Sequence, residues 1–383
     1  MSYSGSAAGP EVRCGVRLRR EKLIMRIFQN RIGAALLRRL ADPEAIVRAG
    51  TAFSAAQVVV TAVEFGLFTE LATARRSMPE LCERMGWHPR AAAPFLDALV
   101  DLGLLRHCRS GRYANSRAAA LFLRPAGPNY VGGLLELSGK RLYGLWAGLS
   151  DLLRTGIPEA GEERGGNEFF STLYRDPAAL RDFLTGMTGI ATGEAMLIAS
   201  RFPWRRFRTF VDIGSAQGAL PVRLALTHPH LTGAGYDLAA VEPIFREYVE
   251  SYGLGDRLLF IPGDMFHEPL PSADVISFGH ILHGYGESVR RDLLAKAYNA
   301  LPPGGAVLVY DAMIDPRRRN NLMSRLSSLN IMLEMRGGFE ATLPECETWL
   351  HETGFVDIRT GRLIGPTSMV HGRKPGPDPA TRR

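Results

Sequence analysis

Between Phe210 and Leu220 the chain passes from a short apolar strand ending in Asp212-Ile213 through a tight turn, Gly214-Ser215-Ala216-Gln217-Gly218, into a helix. A strand that ends in an acid and feeds a glycine turn brings backbone N–H groups close to a nucleotide-like ligand. From residue 207 onward strand and helix patterns alternate. Strands are predicted at 208–213, 232–237, 257–261, 273–279, 305–311, 355–361 and 367–372, with helices 218–227, 240–251 and 288–301 among them. Such alternation predicts an α/β fold on a mostly parallel sheet. The turn lacks the G-x-G-x-x-G spacing that cradles a dinucleotide pyrophosphate.

Open α/β sheets bind ligands beyond the carboxyl ends of their strands. The first end carries Asp212 and the turn. The second carries Asp237, 25 residues later, where an acid commonly takes the two hydroxyls of a ribose. The third gives Gly263-Asp264-Met265-Phe266, an acid with apolar residues able to grip an adenine, and the fourth Gly279-His280-Ile281-Leu282-His283. One such acid is ordinarily a cap or turn residue. Three at consecutive strand ends, beside a glycine turn, form a constellation.

The 383 residues suggest more than one domain, and 46% apolar with 22% charged residues describe a globular chain with a large core. Residues 43–125 carry helical patterns broken near Gly66, then a grammar of helix (Ser77–Met85), turn, helix to Leu102 and a hairpin around Ser110-Gly111, the outline of a winged helix. Arg106, Arg109 and Arg112 in the wing would suit DNA, but Asp97 and Asp101 on the second helix weigh against it, and dimerisation is the better reading. Residues 1–42 read as a basic extension. Within residues 1–50 ten Lys and Arg face four Asp and Glu, which carries most of the net charge of +7. The bland reading of that arm is a solvated amphipathic helix over 23–40 behind an unstructured leader. Residues 126–206 read as a helical connector with a mobile stretch at 156–167, residues 207–374 as the catalytic domain, and 375–383 as a tail. No apolar run reaches the ~18 residues of a membrane span, and the four scattered cysteines form no C-x-x-C pair. A cytoplasmic protein with no metal and no membrane partner is expected.

These pieces in this order resemble the class I S-adenosylmethionine-dependent methyltransferases of the caffeate/acetylserotonin O-methyltransferase-like family, including its bacterial antibiotic-pathway members. The likeness runs over about residues 45–373 and rests on Asp212–Gly218, Gly263-Asp264-Met265-Phe266, Leu282-His283, Ala300-Leu301-Pro302-Pro303-Gly304-Gly305 and Gly337-Gly338-Phe339-Glu340. It implies a Rossmann-like, seven-stranded catalytic domain behind a mostly α-helical winged-helix dimerisation domain, S-adenosyl-L-methionine as cofactor, and a homodimer acting on a small aromatic or polyketide-like hydroxyl. By the same resemblance Gly214 and Gly218 approach the methionine part of the cofactor beside Asp212, Asp237 binds the ribose, and Asp264, Met265 and Phe266 hold the adenine. His283 falls at the base position with Asp311 and Glu340 supporting it, and Phe183, Met187, Tyr285 and Met332 face the substrate.

A phenol with a pKa near ~10 is a poor nucleophile at neutral pH until a base takes its proton, and an imidazole oriented by a carboxylate can do so. His280 is read as a strand or lining residue rather than the base. Five positions depart from the family pattern: Ser215 and Ala216 stand where the family usually has glycines, Gly284-Tyr285 follow the histidine in place of Asp-Trp, and Gly279 stands where a lysine is often found. They keep two other readings open, a C- or N-methyltransferase or a non-methylating relative that retains the cofactor. A winged-helix DNA-binding regulator is the reading from outside the enzymes.

Overall fold

The structure, a computed structural model, describes residues 43–125, 130–158, 173–317 and 321–376. The basic extension and its helix over 23–40, most of the 156–167 connection, Phe169, Phe170 and most of the tail lie outside the described residues. The chain packs as two units, Met1–Val58 and Val59–Arg383. The described part of the first is the start of helix α1 (Pro43–Glu64), where Ile46, Val47 and Phe53 are 76%, 60% and 61% exposed. With a mean hydropathy of 1.5, α1 is long and apolar enough, by length and composition, to cross a membrane. This corrects the expectation that no stretch qualifies. No single run of large apolar residues stands out, but Ala, Val and Ile spread over the helix raise its average.

In the second unit Gly66 adopts the left-handed conformation that separates α1 from α2 (Leu67–Thr73). Helices α3 (Met78–Met85) and α4 (Pro89–Asp101) follow, then strands β2 (Leu105–His107) and β3 (Arg112–Asn115), which pair with the short β1 (Arg76–Ser77) in the order β1-β3-β2. Ser77 caps α3 in a capping box with Glu80. Pro94 lies inside α4. Two of the hairpin's three arginines are engaged within the domain: Arg106 Nε donates to the Asn115 carbonyl at 3.1 Å and Arg112 Nη1 to that of Arg75 at 3.0 Å. Helix α5 (Arg117–Phe122) closes this region.

The connector holds α6 (Gly132–Leu137) and the long α7 (Pro177–Arg201), capped by the Asp176 carboxylate. A Cβ at Gly186 would meet the Gly133 backbone at 3.0 Å, so the two helices approach to a distance only small residues permit.

Seven strands form the main sheet: β4 (Thr209–Ile213), β5 (Thr232–Asp237), β6 (Leu258–Pro262), β7 (Val275–Gly279), β8 (Ala306–Asp311), β9 (Val356–Arg362) and β10 (Ser368–Arg373). Their order is β6-β5-β4-β7-β8-β10-β9, parallel except for β10, which runs antiparallel to both neighbours. Helices α8 (Ala219–Thr227), α9 (Glu242–Glu250), α10 (Glu287–Ala300) and α12 (Leu343–Thr353) accompany the strands, with α11 (Leu322–Glu334) between β8 and α12. One apolar cluster runs from Leu180 and Ile198 through Trp204 and Phe245 to Leu308; a second runs from Val211 and Phe278 to Leu293 and Leu350. Strand order reverses at β4, and a crevice at such a switch point is where open α/β sheets take their ligands.

Candidate active site

At the end of β4, Gly214 and Gly218 have φ of 66° and 92° and Ala216 has φ of 50°. At Gly218 an added Cβ would meet the Phe245 ring at 2.7 Å, so the backbone lies too close to its neighbour for a side chain. The turn is fastened to the next strand: Ala216 N donates to Asp237 Oδ2 at 2.9 Å, Leu238 N to Asp237 Oδ1 at 2.8 Å, and Gly214 N to the Tyr236 carbonyl at 2.8 Å. Asp212 lies opposite Ser277 in the β4–β7 register and accepts from its hydroxyl at 2.6 Å.

Burial pushes the Asp212 carboxyl up to about 7, opposed by the Ser277 hydrogen bond and helped by the charge of Asp237. It pushes Asp237 up to about 6 against its two backbone donors. No Lys or Arg is among the groups that shift either one. Two buried carboxyl groups, with no Lys or Arg shifting them among the described residues, form a site that favours a positively charged ligand. Each oxygen has spare lone pairs with which to accept hydroxyl donors.

Asp264 is used differently. Its Oδ1 accepts from Phe266 N at 2.8 Å and its Oδ2 pairs with His267 Nδ1 at 2.9 Å, so much of its capacity shapes its own loop. Lys296 Nζ reinforces that loop by donating to the Met265 and Phe266 carbonyls at 2.9 and 2.7 Å. The Phe266 ring meets Tyr285 edge-on at 5.0 Å. Three residues join this side that sequence reasoning missed. Gln217 Nε2 donates to Thr185 Oγ1 at 3.2 Å, which ties the Phe183–Met187 stretch of α7 to the turn. Tyr174 lies close enough to Asp237 for that charge, after burial, to raise its phenol. Phe183 packs against the first apolar cluster, and Met187 and Met332 are partly buried on α7 and α11.

The other half of the site is built from side chains. His283 sits in a 3-10 turn, Leu282–Gly284, just past β7. Its Nδ1 lies 2.9 Å from Glu340 Oε1, which also accepts from the Ser327 hydroxyl at 2.7 Å. Asp311, at the end of β8, puts Oδ1 3.6 Å from the same Nδ1, beyond hydrogen-bond range. Burial opposes the His283 imidazolium, but the charges of Asp311 and Glu340 outweigh it and raise its proton affinity. Arg290, 1% exposed, clamps the assembly: its Nη2 donates to the Phe339 carbonyl at 2.5 Å and to that of His283 at 3.2 Å, and its Nε donates to that of Tyr285 at 2.6 Å. Its guanidinium stacks over the Phe339 ring at 3.8 Å. Nothing local in the sequence marks Arg290, since a helical arginine reads as a solvated residue.

His280, expected as a strand or lining residue, lies just past the strand. β7 ends at Gly279, and His280 turns away with φ of 55°. Its Nε2 lies 2.7 Å from Glu194 Oε2 on α7, and Glu194 Oε1 accepts from the Thr367 hydroxyl at 2.5 Å. The donor atoms of His280, His283 and Asp311 lie within 4.8 Å of one another. Each imidazole shares a ring nitrogen with a carboxylate, and the surrounding carboxylates raise the proton affinity of both.

The departures from the family pattern have steric counterparts. A Cβ at Gly284 would meet Met335 Sδ at 2.8 Å, and one at Gly279 would run into the Tyr310 ring. Aspartate and lysine at those places would each require their neighbours to move.

Comparison with known proteins places these features. Residues 146–356 match the O-methyltransferase domain family, and residues 48–125 match the O-methyltransferase dimerisation domain. The tetracenomycin polyketide synthesis 8-O-methyl transferase TcmO of Streptomyces glaucescens is 44% identical, over 87% of this chain and 97% of its own. The N,N-dimethyltransferase OxyT of Streptomyces rimosus is 36% identical, over 82% and 91% respectively. Among solved structures, human N-acetylserotonin methyltransferase in complex with SAM superposes with a TM-score of 0.79 at 24% identity, covering 87% of this chain and 97% of that one.

Proposed function

The chain belongs to the O-methyltransferase family, and from that premise, with S-adenosylmethionine as its cofactor, we propose that it methylates a hydroxyl of a small aromatic or polyketide-type natural product with His283 as general base. The observation that carries this reading is the His283–Glu340 pair at 2.9 Å, set beside strand-end acids suited to a cationic nucleoside. The bound cofactor supplies a methyl group already activated on a sulfonium. The residues of this chain hold and aim. The glycine turn admits the ligand's backbone-sized parts, Asp237 takes ribose hydroxyls through its free lone pairs, Asp212 sets a negative field at the turn, and Asp264 with Met265 and Phe266 borders the adenine.

Glu340 holds the proton on His283 Nδ1 and so leaves Nε2 to accept the proton of the acceptor hydroxyl. Base catalysis of this kind is worth ~10²–10⁴ in rate, and in-line positioning supplies much of the rest. Phe183, Met187, Tyr285 and Met332 face the acceptor in this reading. The relative TcmO, named for a polyketide 8-O-methylation, supports the substrate class. OxyT, named as an N,N-dimethyltransferase, gives the nitrogen alternative its one specific support.

The matched dimerisation domain, with the apolar residues that α1 exposes, supports a homodimer. Arg106 and Arg112, already bonded to backbone carbonyls of their own domain, weigh against DNA as a partner. Cys82, Cys108 and Cys346, all unpaired thiols, agree with a cytoplasmic setting.

The test is calorimetry with S-adenosylhomocysteine, followed by mass spectrometry of products from a panel of phenolic acids, hydroxylated polyketides and their amino analogues. Binding and a methyl adduct on oxygen are expected. An adduct on nitrogen alone would favour the alternative, and no cofactor binding would overturn the reading.

A further inference from the structure

His280 is the residue the family reading leaves without a task, and the structure spends an unusual amount of buried polar chemistry on it. Glu194 is 2% exposed and lies on α7, 86 residues away in the chain, yet its Oε2 reaches His280 Nε2 at 2.7 Å. Its other oxygen is occupied by Thr367, from the hairpin between β9 and β10, at 2.5 Å. The carboxylate is thereby aimed from two sides. The other face of the ring looks toward the base: Nδ1 is 3.8 Å from Asp311 Oδ1, and the two imidazole centroids are 5.7 Å apart. Asp311 Oδ1 has no hydrogen-bond partner among the described residues and sits between the two histidines at 3.6 and 3.8 Å. The ring of Tyr310 closes the site edge-on at 5.6 Å.

Charge bookkeeping gives this arrangement a purpose. Glu194, Asp311 and Glu340 put three carboxyl groups, each 4% exposed or less, around two imidazoles, and the buried Arg290 guanidinium offsets only part of the charge of Asp311 and Glu340, leaving Glu194 to His280. A general base must be neutral before it acts, so His283 cannot be the cation that balances them. We propose that His280, fixed by Glu194 and Thr367, is the standing cation of this cluster: it offsets the buried carboxylates while His283 stays free to accept a proton, and thereby sets the pH range in which the base works. The inference rests on the reading of His283 as the base, and it makes His280 a positioning residue that acts through its charge.

The direction of the proton affinities agrees. Burial opposes the His280 imidazolium, but Glu194, with Asp311 and Glu340 behind it, pushes its pKa up to about 9. His280 in turn lowers the proton affinity of His283, against the larger upward pull of Asp311 and Glu340. Removing the cation therefore makes His283 harder to deprotonate. The acid limb of kcat/KM must move to higher pH.

His280→Asn is the informative change, because asparagine tolerates the left-handed backbone and can still donate to Glu194. Two charges at this separation in a partly buried site couple by an amount equivalent to roughly one to two pH units. The acid limb of His280→Asn is expected to rise by about that much. Activity that falls equally at every pH, with the limb in place, would mean a merely structural role and would overturn the proposal. Histidine NMR on the wild-type protein gives a second readout that needs no variant to fold. An imidazolium at His280 at pH 7.5 is expected, and a neutral ring there would also overturn it. His283→Ala that retains full turnover would sink the base assignment instead, while the His280 resonance still reports its own charge.

Discussion

The two halves of the candidate site solve the same problem with different materials. On the β4–β6 side the acids proposed to face the cofactor are held by backbone: Asp237 is fixed by the amides of Ala216 and Leu238, and Asp264 by that of Phe266, all within a short loop or a neighbouring strand. On the β7–β8 side His283 is held by side chains that arrive from far away in the chain. Glu340 is 57 residues distant, and the companion pair His280–Glu194 spans 86. A backbone-built seat tolerates variation in its side chains, as Ser215 and Ala216 illustrate. A side-chain-built base depends on each member, so its failure should leave the seat intact.

The strongest way to break that contrast is through Arg290. It touches no ligand in this reading but joins the 3-10 turn to the Phe339-Glu340 segment. Arg290→Met removes three hydrogen bonds from a buried guanidinium and takes the donor from the Tyr285 and Phe339 carbonyls, while that of His283 keeps the Phe339 amide, at a cost of roughly 2–4 kcal/mol in stability. Thermal denaturation should show the loss, and methylation should fall about 100-fold or more as His283 and Glu340 separate. Affinity for S-adenosylhomocysteine, measured by calorimetry below the melting range, should change by less than about threefold. An equal loss of cofactor affinity would show that the halves are not separable.

A smaller effect probes the backbone-built side. Asp237→Asn keeps the shape but gives up charge and one acceptor, and should weaken S-adenosylhomocysteine about 10- to 100-fold, or about 1.4–2.8 kcal/mol. The wild-type affinity should itself depend on pH. Asp237 in the free protein ionises near the pKa of about 6 that burial imposes, and only the ionised form accepts two hydroxyl donors. Affinity should therefore fall as pH drops through about 6, and the asparagine variant should lose the part of that slope that Asp237 contributes. A slope unchanged in the variant would move the ribose role elsewhere.

The same contrast decides how much could be read from the sequence. All seven strands of the main sheet were legible to within about two residues, because apolar runs and glycine turns are local signals. Asp212, Asp237 and His283 were legible because parallel α/β folds bring successive strand ends together. Glu194, Thr367, Ser327 and Arg290 were not. A glutamate in Gly193-Glu194-Ala195 on a helix carries the pattern of a solvated residue, and only the fold turns it inward onto His280. The left-handed twist after Gly279 that frees His280 from its strand has no marker either, since the residue there is not a glycine. Partners distant in the chain were legible only where the family resemblance supplied them, as for Glu340, and Glu194, Thr367, Ser327 and Arg290 fall outside the motifs that carry it.

The most direct test of the account is His283→Ala, assayed twice on the same protein. Calorimetry should give an S-adenosylhomocysteine affinity within about twofold of wild type, while mass spectrometry should show methyl transfer reduced by about two orders of magnitude or more. Near-wild-type turnover, or a cofactor affinity that collapses along with it, would contradict a base assembled apart from its cofactor seat.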